Sequence, residues 1–210
     1  MADLENQVIG EEAAQGSTRK RPKPGERRIQ ILQTLALMLE EPKGERVTTA
    51  LLAQRIAVSE AALYRHFASK AQMFEGLIDF IETSVFGLIN QITERESDGR
   101  NQASQIMAML LHFSVSNKGM TRVLIGDALV LENDRLQTRI NLFIDRVEAA
   151  IRQCLRTAAG QGAYSNEKDL ATRANLILSV IVGRWHRFAK SGFKVDPLVG
   201  LDQQLRLLLS

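Results

Sequence analysis

Apolar residues recur along this chain at intervals of three and four, the period of helices that bury one face, and no alternating strand pattern appears. The first stripe begins at Glu26 and runs through Ile29, Leu32, Leu35, Ala36 and Leu39. It ends at Glu41-Pro42-Lys43-Gly44, where proline cannot continue a helix and glycine supplies the turn. Two short helical patterns then share Thr48 to Lys70, TTALLAQRIAVSEAALYRHFASK. Thr48 or Thr49 can cap the first, whose apolar face starts at Ala50, Leu51, Leu52 and Ala53. Ser59 can cap the second, Glu60 to His66, and Ser69 whatever follows Phe67. Two helices joined this tightly form a helix-turn-helix, whose second helix can enter a DNA major groove.

Beyond the motif the pattern predicts longer helices. Lys70 to about Glu94 carries Phe74, Leu77, Ile78, Ile81, Val85, Leu88, Ile89 and Ile92 in one stripe. Phe80 and Phe86 each fall about 120° from Phe74, on opposite sides, at roughly 100° per residue. This helix therefore either packs on two sides or shows a phenylalanine in a groove. Ser97-Asp98-Gly99 breaks the pattern; a helix from about Asn101 carries Ile106, Met109, Leu110 and Phe113, and Asn117-Lys118-Gly119 reads as a stop. Met120 to Leu131 suits a short buried helix. Asp134 to Thr157 aligns Leu136, Ile140, Phe143, Ile144, Val147, Ile151 and Leu155, and Gly160 to Tyr164 is a loop. Lys168 to Lys190 is apolar on every side, which demands burial on every side and implies self-association. Leu198 to Leu209 closes an all-α chain.

Length and composition refine this outline. The chain's 210 residues, 45% of them apolar, suit a small domain and a larger one with a real core. Its expected division is an arm over 1–24, a helix-turn-helix domain over 25–69, and a larger helical domain over 70–210. Formal charge is only +3 but uneven: residues 17–70 hold eleven Lys/Arg against five Asp/Glu, while residues 71–210 hold sixteen against fifteen. The excess surrounds the motif, as a nucleic-acid footprint does. The arm lacks apolar periodicity and ends in RKRPKPG, so it reads as disordered, adding phosphate contacts or merely solubility. Cys154 stands alone, in the apolar register of a helix, which excludes an internal disulfide framework and points to packing. With no secretory segment and no apolar run near ~18 residues, the expected location is cytoplasmic.

The motif carries the candidate chemistry. Glu60, Ala61, Ala62 and Arg65 project from the early turns of the second helix, where base edges come within reach. Leu63 and Phe67 face the core. Tyr64, His66 and Lys70 offer a hydroxyl, a ring N–H and an ammonium to phosphates, although Tyr64 also suits a half-buried core aromatic. Thr48 and Thr49 can add hydroxyls at the first helix's N-terminus. Catalytic readings fail: His66, His112 and His186 lack metal-ligand spacing, Cys154 has no partner, and no nucleophile elbow is present. No cofactor or metal is expected.

The pattern TTxxLAxxxxVSxxxLYxHFxSK resembles the DNA-binding domain of the TetR family. That resemblance implies a fold of about nine helices, in which residues 70–210 are the helical effector and dimerisation domain and the last two long helices pair two copies into a homodimer. Ala57 departs from it, standing where the family usually has a turn glycine. Alanine in a left-handed backbone there costs roughly 1 kcal/mol. A narrower similarity to the family's nucleoid occlusion branch covers most of residues 26–145, in IQILQTLALMLE, VSEAALYRHFASKAQMFEGLIDFIE and GMTRVLIGDALVLENDRLQTRIN, and thins past Arg146. It implies dimers on palindromic chromosomal sites that bind the C-terminal tail of the division protein FtsZ and oppose Z-ring assembly. The tail groove, between the fourth and fifth helices, would hold Phe80, Met109 and Asn117. Leu88, His112 and Ser116 depart from that groove's usual arginine, glycine and arginine. The competing reading is a ligand-gated repressor, with His112, Phe113, Phe143 and Trp185 lining a pocket, although such residues at core spacing commonly form core. Local rather than chain-wide charge disfavours a non-specific nucleoid protein.

Overall fold

Capping decides where most helices begin. The computed structural model describes residues 25–41, 47–164 and 169–210; the arm and the Pro42–Gly44 turn lie outside them. The described residues form α1 (Glu26–Glu40), α2 (Thr49–Arg55), α3 (Glu60–Tyr64), α4 (Lys70–Arg95), α5 (Gly99–Ser116) and α6 (Lys118–Leu124). A 3-10 turn (Asp127–Leu129), α7 (Asp134–Gly160), α8 (Leu170–Lys190) and α9 (Leu201–Leu209) complete them. No strand occurs among them. Thr48, Ser59, Ser69, Asp98 and Asn133 each accept a first-turn N–H through the side chain. Each such cap satisfies a donor that the helix cannot.

One continuous core joins the elements. α1 packs on α2, α4 and α6; α4 on α5 and α7; and α8 on α5, α6 and α7. The expected stripe of α7 is buried through Leu136, Ile140, Phe143, Val147, Ile151 and Leu155, with Cys154 and Ala158 extending it. In α1 the stripe is displaced. Ile29 is exposed and Ile31 takes its place beside Leu35 and Leu39, because three neighbours broaden the buried face. Leu88 of α4 is likewise exposed.

Several boundaries differ from the pattern's prediction. The expected buried helix over Met120 to Leu131 is α6, ending at Leu124 with Val130 and Leu131 exposed. α7 runs on through Gly160, and α9 starts only at Leu201. The second motif helix stops at Tyr64, and α5 starts at Gly99, two residues early. Asn117 alone separates α5 from α6, so Gly119 lies inside a helix rather than at a stop. A Cβ there would stand 1.9 Å from the Ala36 carbonyl oxygen, so glycine marks a close helix crossing. The apolar run of α8 also resolves differently. Ile177, Leu178, Ile181 and Trp185 are buried, whereas Leu176 is 51% exposed in the single chain.

Candidate nucleic-acid interface

The reader is a short second helix held from behind. Leu63 and Phe67 are fully buried, and burying a leucine of this kind contributes about 1.5–3 kcal/mol. Ala57, in the turn between α2 and α3, has φ +53°, so alanine does occupy a left-handed backbone. Val58 N–H closes that turn on the Ala53 carbonyl at 3.0 Å. Arg28 of α1 secures the far end: its Nη1 donates to the His66 carbonyl at 2.9 Å, and its guanidinium lies 4.0 Å from the Phe67 ring centre. Arg28 was not among the residues legible in the pattern, because its partner lies 38 positions away.

Outward, α3 presents Ser59, Glu60, Ala61, Tyr64 and Arg65, with Ala62 half-buried and His66 exposed just beyond. Small residues at Ala61 and Ala62 let the backbone approach base edges, and Arg65 can reach guanine or phosphate. Tyr64 is 45% exposed, which settles it as a surface side chain rather than core. Two expected donors are partly engaged within the protein. Thr48 Oγ1 accepts the Leu51 N–H at 3.2 Å, so one amide of the α2 N-terminus is spent on its own cap. Thr49 donates to Glu60 Oε2 at 2.6 Å, with the Tyr64 hydroxyl 3.5 Å from Thr49 Oγ1. That bond ties α2 to α3 and directs the Glu60 carboxylate toward α2.

Lys70 departs furthest from expectation. Its ammonium is ion-paired with Glu132, in the segment before α7, and lies 5.6 Å from the Phe74 ring centre. The charge that suits a phosphate is therefore balanced by a carboxylate of the effector half. At the opposite corner Arg55 forks onto Glu41, with Nη2 to Oε2 at 2.9 Å, and this hydrogen bond holds the Glu41 carboxyl below its usual range.

The effector half separates the two groups of residues weighed for it. Phe80 is 51% exposed on α4. Phe86, on the other flank, is partly buried, edge-on to Phe143 at 5.6 Å with Arg146 over its outer face at 3.9 Å. So α4 does both things open to it, packing one flanking aromatic and showing the other. On α5, Met109 is half-buried between turns that expose Gln105 and His112, and Ser116 is exposed. Asn117 donates its side-chain amide to the Phe113 carbonyl at 2.9 Å. The aromatics weighed as pocket lining split. Trp185 and Phe143 are fully buried core, the indole N–H donating to the Leu110 carbonyl at 3.2 Å; Phe113 is partly buried and His112 exposed. Cys154 is buried and its thiol is pushed up to about 11 by desolvation, as packing demands. Among the described residues, no helix is long and apolar enough to cross a membrane, and no three His, Cys, Asp or Glu side chains group as metal ligands.

Comparison with known proteins joins these two halves. Residues 37–77 match the family described as bacterial regulatory proteins, tetR family, and residues 99–210 match the tetracyclin repressor-like C-terminal domain of the SlmA-like type. The chain is 47% identical over 178 residues to the nucleoid occlusion factor SlmA of Shewanella pealeana, covering 85% of this chain and 90% of that one. It is 46% identical over 183 residues to SlmA of Vibrio cholerae, covering 87% and 93%. The likeness thus runs well past Arg146. Among solved structures, the fatty acid degradation regulator FadR of Bacillus halodurans superposes with a TM-score of 0.75 at 16% identity, over 90% and 97% of the chains. A TetR transcription regulator of Haloarcula marismortui gives 0.74 at 14%, over 88% and 96%. These two share the fold. The chain belongs to the SlmA family of nucleoid occlusion factors, within the TetR family of DNA-binding regulators.

Proposed function

From this membership we propose that the chain acts as a homodimer on palindromic chromosomal sites and, when bound, engages the C-terminal tail of FtsZ to oppose Z-ring assembly over the nucleoid. The observation that carries the reading is the identity of 46–48% with SlmA relatives, extending across the effector half as well as the reader. On this reading Thr48, Thr49, Tyr64, His66 and Lys70 meet phosphates. Ser59, Glu60, Ala61, Ala62 and Arg65 present the reading face. The chain is a regulator, not an enzyme.

Pairing through α7 and α8, the last two long helices, is supported by exposed apolar side chains on both. Leu142 of α7 and Leu176 of α8 are each more than half exposed in the single chain. A second copy would cover them at little desolvation cost. The tail site we propose is the groove between α4 and α5, with Phe80 on α4, Met109 on α5 and Asn117 just beyond it. An exposed phenylalanine is the kind of anchor an extended peptide recruits.

The test is fluorescence anisotropy with a labelled FtsZ-tail peptide, read against free dimer and against dimer on its palindrome. Tighter peptide binding on DNA supports the reading. No measurable peptide binding in either state sinks it. Genome-wide occupancy gives an independent check: sites spread over the chromosome but sparse near the terminus fit nucleoid occlusion, and one site beside a regulated gene does not.

A further inference from the structure

Arg122, on the short helix α6, touches each body that must hold still if two readers are to meet DNA at one spacing. Its Nη1 lies 3.3 Å from the carbonyl oxygens of both Leu39 and Glu41, at the C-terminal end of α1. A cation suits that end of a helix. Its Nε stands 3.6 Å from Asp127 in the 3-10 turn, and Asp127 is ion-paired with Lys190 in the last turn of α8. The guanidinium also lies 5.9 Å from the ring centre of Phe193, just beyond α8. Phe193 has φ +63°, a backbone that a bulky side chain keeps only where its surroundings hold it. Its ring packs edge-on against Phe188 of α8 at 5.1 Å.

One side chain, 19% exposed, therefore ties the end of α1 to the turn before α7, and Asp127 in that turn carries the link on to Lys190 at the end of α8. α6 itself lies between α1 and α8. Gly119 brings α6 against α1 with no room for a Cβ, which sets their separation. A single point of contact leaves the crossing angle free. Arg122, three residues on and on the same helix face, supplies the second point.

We propose that Arg122 is a positioning residue for DNA recognition, which sets the angle of the reader to α8 and so the half-site spacing a dimer accepts. The inference rests on the dimeric, palindrome-binding reading above. A paired reader requires half-sites about one helical turn, ~34 Å, apart or a multiple of that. Each added base pair displaces one half-site by about 3.4 Å and turns it by about 34°, so a rigid strut rejects altered spacings.

A spacing series tests this with the full-length dimer. Wild type, Arg122→Gln and Arg122→Lys are titrated onto the selected palindrome, onto the same half-sites with one base pair added or removed, and onto a single half-site. Wild type should prefer the natural spacing by about tenfold or more, the scale of a mismatched contact. Arg122→Gln should reduce that ratio to roughly threefold or less, with dimer elution and single half-site affinity unchanged. Arg122→Lys should fall between them, because an ammonium still reaches the α1 carbonyls. A wild-type ratio retained by Arg122→Gln overturns the inference, as does an equal loss on the single half-site, which would place Arg122 in the reader's own fold. Failure of wild type to distinguish palindrome from half-site would overturn the dimeric reading first and this one with it. Should Arg122→Gln not fold, Asp127→Asn is read by the same ratio.

Discussion

The α-carbon of Gly119 sits so close to the carbonyl of Ala36 that a Cβ would stand 1.9 Å from its oxygen. The neighbour is helix backbone, which cannot swing aside as a side-chain end would. Through this contact α6, in the effector half, is seated on α1, in the reader. Gly119→Ala is expected to cost at least 1–3 kcal/mol, roughly the penalty of overpacking, and to lower the thermal midpoint by several degrees. An unchanged melting curve would show that the two helices separate freely.

Ala57 is the converse case, a residue with a Cβ where glycine fits better. At φ +53° the alanine is strained by roughly 1 kcal/mol, and glycine returns part of that through its looser unfolded state. Ala57→Gly should raise the urea midpoint by a net gain of up to about 0.6 kcal/mol with no change in slope. A lower midpoint would mean that the turn is not strained.

Lys70 and Glu132 form an ion pair that DNA would contest. If phosphate draws the ammonium away, neutralising Glu132 should strengthen binding. Glu132→Gln is expected to gain roughly 0.5–1 kcal/mol of DNA affinity, and Lys70→Ala to reduce the salt slope by about one. In the double variant the gain should vanish. Weaker DNA binding by Glu132→Gln alone would mean the pair orders the reader instead of withholding a charge.

Phe80 is exposed, so its truncation should spare the fold. Phe80→Ala should reduce tail-peptide binding at least tenfold, about 1.4 kcal/mol, while stability changes by no more than about 0.5 kcal/mol. An equal fall in DNA affinity would assign Phe80 to reader geometry and remove the groove.

Cys154 offers a proton-linked check of the α7 core. Its thiol, ordinarily near 9.0, is raised to about 11, so between these values the folded chain holds a proton that the unfolded chain has released. Stability is therefore expected to decline as pH rises from about 9 toward 11, and Cys154→Ala should flatten that part of the curve. Native chain should also react with a thiol reagent at neutral pH far more slowly than urea-unfolded chain. Equal rates would contradict burial of this helix face.

The amino-acid pattern by itself determined what is local. Thr48, Ser59 and Ser69 announced three helix starts because an N-cap acts within three residues of itself. Leu63 and Phe67 announced the buried side of the reader because helical period alone places them, and the stripe of α7 was legible for the same reason. Tertiary structure decided whatever depends on a distant partner. It exposed Ile29 and buried Ile31, since the centre of the α1 stripe depends on which helices cover it. It turned Gly119 from an apparent stop into a crossing point, because a glycine's role depends on what approaches it. It gave Arg28 to His66, Lys70 to Glu132, and Arg122 to Leu39 and Glu41, pairings up to 83 residues apart that no local spacing encodes. Periodicity reports which face of an element avoids water, whereas the charged and backbone contacts that set one element's angle to another exist only once the chain has folded.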